Sequence, residues 1–73
     1  MEPPPRKYDI GDLVVVQTSV NPCLQLGRLM GDRLNINGTR NGVILAFEDH
    51  WAEDWAKIIF STGIGWIKLV WIE

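Results

Sequence analysis

The densest set of groups able to do chemistry in this 73-residue chain lies between Glu48 and Asp54. Glu48, Asp49, His50, Glu53 and Asp54 put four carboxylates and the chain's one imidazole close together in sequence. Oxygen ligands with a histidine can hold a divalent cation. The order of these residues fits neither a calcium loop nor the paired-histidine spacing of a zinc helix. We therefore read the stretch as a solvated acidic turn and expect no metal.

The other reactive groups are more scattered. Cys23 is the one cysteine, so no disulfide within the chain and no cysteine-based metal site can form. It follows Pro22 with no basic helix start or histidine near it in sequence, which makes it a small packing residue rather than an activated thiol. Gly27-Arg28-Leu29-Met30-Gly31 has a glycine pair but lacks the spacing and the following Lys-Ser/Thr of a phosphate loop. His50 has no serine or cysteine nucleophile at a recognised motif. The expectation is a non-enzymatic protein without a cofactor.

What remains is chemistry of contact. Four tryptophans can each bury roughly 200 Å². Trp55 and Trp71 fit either of two roles: cover for a core, or a pair of exposed ring faces that takes an extended peptide or a cation. Arg28, Arg33 and Arg40 lie on one Gly-punctuated stretch and could meet phosphates or a protein surface. The formal net charge is −2 and the isoelectric point about 5.2. That balance argues against nucleic acid, which calls for a basic stripe. We expect a protein partner, with self-association as a further route to stability for so short a chain. The interaction surface expected from sequence comprises Trp51, Trp55, Lys68, Trp71, Arg28 and Arg33.

The elements that must position these groups read as strands. Leu13–Val16 is an apolar, valine-rich run after a Gly11-Asp12 turn. Gly42–Asp49 is apolar on both faces until its charged end. In Trp55–Ser61, Ala56, Ile58 and Phe60 share one face while Trp55, Lys57 and Ile59 share the other. Thr62-Gly63 reads as a tight turn. Gly63–Glu73, with Lys68 among Trp66, Ile67, Leu69, Val70, Trp71 and Ile72, is apolar enough to close a core. Val20–Asn41 is a long excursion whose leucines pack back on the rest, with a short strand at Arg33–Ile36 and a hairpin turn at Asn37-Gly38. Met1–Lys7 holds three consecutive prolines, which favour an extended arm: a disordered tail, or an arm that docks on a neighbouring subunit. No apolar run reaches membrane-spanning length, and MEPPPRKY lacks the apolar segment of a signal peptide, so a cytoplasmic or virion-associated setting is expected.

The sequence DWAKIIFSTGIGWIKLVWIE resembles the later half of SH3 domains. Glu53-Asp54 matches their acidic loop, Trp55 the tryptophan that opens the next strand, and Thr62-Gly63 the distal turn. Gly65-Trp66-Ile67 matches the strand after it, Leu69-Val70-Trp71 the 3₁₀ turn, and Ile72-Glu73 the final strand. Val43–Asp49 and Leu13–Thr18 fit the earlier strands, and residues 19–41 stand where the family has its RT loop. The family's Ala-Leu-Tyr-Asp-Tyr segment is absent, with Val14-Val15-Val16 in its place, and Lys68 replaces the proline of the ligand surface. Of that surface the resemblance carries two aromatics, Trp55 and Trp71. The Gly-Asp-Leu-Val opening and the Gly-Trp-Ile ending also resemble small stand-alone SH3-like proteins of bacteriophages.

The resemblance implies an all-β fold: residues 8–73 as a five-stranded antiparallel SH3-like barrel with a long loop after the first strand, preceded by the arm 1–7. It implies a protein–protein interaction module, first a phage structural or assembly component. The alternatives are a peptide- or nucleic-acid-binding adaptor of SH3 or Tudor type and a host-directed regulator.

Overall fold

A computed structural model describes residues 7–26, 32–36, 40–50 and 53–73. The chain is all-β. Four strands, β1 (Leu13–Val15), β2 (Asn41–His50), β3 (Glu53–Phe60) and β4 (Gly63–Lys68), form one antiparallel sheet in the order β1-β2-β3-β4. A single 3₁₀ turn, Leu69–Trp71, follows β4. Among the described residues no helix is long and apolar enough to cross a membrane.

The alternation in the sequence sets the two faces. Ala56, Ile58 and Phe60 of β3 are buried in the core, as the period-two pattern requires. Ile44 of β2 and Ile67 of β4 reach the same core from neighbouring strands, joined by Val14, Val16, Ile36 and Ile72. The mixed pattern of β2 has a local cause. Its register with β3 shifts between Ile44 and Ala46, so Leu45 is an extra residue. The bulge flips the parity, and Phe47 rather than Ala46 then pairs with core residue Ala56.

The strands run further than their sequences suggest. Pairing of β2 with β3 continues to His50 and Glu53, so the described part of the acidic stretch, residues 48–50 and 53–54, is strand rather than turn. The β3–β4 hairpin turns at Ser61-Thr62, one residue earlier than expected, with Phe60 paired to Gly63. Before β1, Asp9 to Asp12 form a tight turn in which the Asp12 N–H donates to the Asp9 carbonyl. Gly11 sits there at φ +93°, a backbone angle that suits glycine.

The expected fifth strand does not form as a strand, and the sheet is not closed. Ile72 makes one isolated antiparallel bridge to Val16. Around it the Glu73 N–H donates to the Val15 carbonyl and the Gln17 N–H to the Trp71 carbonyl. The far edge of the sheet has a similar cover. Cys23 and Trp66 exchange both backbone hydrogen bonds, at 2.8 and 2.7 Å. Cys23 also bridges Arg33, and the Leu34 N–H donates to the Pro22 carbonyl. The excursion after β1 thus folds back on β4, with Arg33 in a bridge rather than a strand. Gly65 permits this approach, because a Cβ there would lie 2.5 Å from Cβ of Pro22. The Asn37-Gly38 turn, the glycine pair at 27–31 and the prolines of the arm lie outside the described residues.

Candidate functional site

The end of β4 and the 3₁₀ turn bring three of the expected contact residues together. Trp55 pairs with Lys68 across the β3–β4 ladder. The 3₁₀ turn then returns Trp71 so that its ring meets Trp55 edge to face, centroids 6.0 Å apart and planes at 86°. This is the favoured aromatic geometry. The Lys68 ammonium lies 5.7 Å from the Trp55 centroid and 5.1 Å from that of Trp71. Its Nζ is also 2.7 Å from a carboxylate oxygen of Glu53. Lys68 thus places the chain's own cation over both rings.

Burial separates the two tryptophans. Trp55 is fully buried yet lies outside the main core cluster, on the opposite face of β3 from Ala56 and Ile58. The two tryptophans are therefore not an exposed pair. Trp71 is half-buried and packs against the core from its edge. The Trp55 indole Nε1 is buried without an acceptor among the described residues. A buried donor left unpaired costs about 1–3 kcal/mol.

Trp71 also faces a second neighbourhood. An open pocket of about 370 Å³ is lined by Ser19, Val20, Asn21, Arg33 and Trp71. Arg33 and Trp71 thus line one hollow, a grouping the sequence does not show. Arg33 Nη1 donates to the Asn21 carbonyl at 2.9 Å, which orients the guanidinium along the pocket wall. A smaller depression of about 270 Å³ is lined by Glu53, Asp54, Lys68, Leu69 and Val70. The 3₁₀ turn contributes to both hollows, and Val70 on it is 75% exposed. The result is a surface with an indole, two cations and carboxylates arranged around one projecting valine.

Arg40 has a different task from Arg33. Its Nε donates to the Val16 carbonyl at 3.0 Å, and Nη2 donates to the carbonyls of Gln17 and Val20. One guanidinium thereby holds the turn that follows β1 and shapes the Val20–Asn21 wall of the larger pocket. Sequence reasoning grouped Arg40 with the contact arginines; its position just before β2 points it inward instead. Arg28 and Trp51, also expected on the contact surface, lie outside the described residues.

Among the described residues, no three His, Cys, Asp or Glu side chains gather as metal ligands would. Asp49 pairs directly with Asp54 across the β2–β3 ladder, which spreads the acidic residues along a hairpin instead of closing them around a point. Comparison with protein-family models, with curated proteins and with solved structures finds no match to this chain.

Proposed function

We propose that this chain is a non-enzymatic protein–protein interaction module built as an SH3-like barrel, and that it serves as a small structural or assembly component of a bacteriophage particle. The barrel reading draws on the Val16–Ile72 bridge, which links β1 to the residues after the 3₁₀ turn, and on the position of that turn at Leu69–Trp71. The observation that carries the functional reading is the pocket shared by Arg33 and Trp71. An indole and a guanidinium lining one hollow with the small polar residues Ser19 and Asn21 suit an extended segment of a partner protein. Arginine and tryptophan are also the residue types that most often anchor such contacts. Lys68 and Glu53 continue the surface on the other side of Val70 and give it charge selectivity.

Selection from a random-peptide display library tests this reading. The chain should enrich a consistent peptide class, and Trp71→Ala or Arg33→Glu should weaken binding of the selected peptides at least tenfold while the fold is retained. Absence of any enrichment, or binding that both variants leave unchanged, would overturn it.

A further inference from the structure

The face of the sheet turned away from the core carries an apolar row that the contact surface above does not use. Leu13, Val43, Ile59 and Ile64 are direct cross-strand partners, one from each strand. Direct partners in an antiparallel ladder share a face. Leu13 is 69% exposed, and Ile59 and Ile64 are 43% and 42% exposed. Val15, two residues from Leu13 and so on the same face, is 38% exposed. The row has no charged or hydrogen-bonding side chain. It is bordered by Asn41 opposite Val15, and by Lys57 with its ammonium over the Trp66 ring.

We infer that this face is the contact between two copies of the chain, packed sheet against sheet. Three observations select a second copy over another occupant. First, an aliphatic row offers a foreign partner no polar group to recognise, whereas a twofold axis through the row makes it its own complement. Aligned sheets pack about 10 Å apart in this way, with strands within about 30° of each other. Second, edge-on addition is obstructed. Val15 and Gln17 beside β1 are hydrogen-bonded to residues 71–73, and Trp66 of β4 is taken by Cys23. Third, Leu13, Val15, Ile59 and Ile64 are each more than a third exposed and form one apolar patch, a kind of surface that on a monomer is often functional. A stable dimer buries about 800 Å² per partner, so the contact must also take in the bordering Asn41, Lys57 and Trp66. The inference is independent of the Arg33–Trp71 surface.

Sedimentation equilibrium of the purified chain tests it, together with Ile59→Lys, Leu13→Glu and the off-row control Val70→Glu. All three sites are exposed, so the variants should keep the native circular-dichroism spectrum. The unaltered chain should form a dimer at micromolar to submillimolar concentration. Ile59→Lys and Leu13→Glu should each weaken that dimer at least tenfold, and Val70→Glu should leave it intact. A chain that stays monomeric at high concentration would overturn the inference. So would a dimer that survives both row variants, or one that only Val70→Glu disrupts. Should a row variant fail to fold, oxidation of Ile59→Cys beside the off-row Val70→Cys decides: covalent dimer forming markedly faster at position 59 supports the twofold contact, and equal or slower formation there opposes it.

Discussion

Trp55 and Trp71 meet edge to face at 6.0 Å, with the Lys68 ammonium seated over both rings. Trp55 is buried and its indole N–H has no acceptor among the described residues. Its ring therefore stabilises the protein while its polar atom opposes that gain. Trp55→Phe removes the orphaned donor along with part of the ring, and should change stability by less than about 1.5 kcal/mol. Trp55→Ala removes the whole ring and should cost about 3–5 kcal/mol. Urea unfolding followed by near-ultraviolet circular dichroism distinguishes the two. A Trp55→Phe loss well above that bound would show that the donor is satisfied in solution.

Arg40 acts as an internal strut. Its guanidinium donates to the carbonyls of Val16, Gln17 and Val20, and its own carbonyl accepts from the Val16 N–H. Arg40→Ala should destabilise by about 2–3 kcal/mol, since hydrogen bonds from a charged group to half-buried acceptors are among the stronger ones. Arg40→Lys should recover less than half of that, because a single ammonium cannot reproduce the planar fork. The Val20 amide, bonded to the Gln17 carbonyl, reports the local effect. Its hydrogen exchange should accelerate in both variants, more than that of Ile58 in β3.

Ile72 joins the residues after the 3₁₀ turn to β1. It is 6% exposed, belongs to the core cluster and bridges Val16. Ile72→Ala should cost about 2–4 kcal/mol, a large part of the margin of so small a domain. Removing Ile72 and Glu73 together also removes the hydrogen bond from the Glu73 N–H to Val15. That shortened chain should show no cooperative thermal transition at 25 °C or above. A sharp transition close to that of the intact chain would mean that the bridge does not support the sheet.

Much of the sheet is legible from local pattern. The alternation separates Ala56, Ile58 and Phe60 from Trp55, Lys57 and Ile59, because side chains in a strand repeat every two residues whatever surrounds them; burial then shows the first set to face the core. The same logic places Val14 inward between exposed Leu13 and Val15. The 3₁₀ turn at Leu69–Trp71 was implied by resemblance and forms where expected. Pattern fails at the bulge, since one extra residue at Leu45 reverses the faces of everything after it and leaves only an ambiguous apolar run in the sequence.

By itself, then, the sequence determined the strand-rich architecture and which residues of β3 share a face, because those depend on neighbours one or two positions apart. Tertiary structure alone decided that Trp55 is buried under Lys68, that Arg33 and Trp71 line one hollow, that Arg40 turns inward, and that Cys23 pairs with Trp66. Each of these joins segments far apart in the chain. Such contacts are set by the register of the ladders and the path of the excursion between β1 and β2, neither of which is encoded in local alternation.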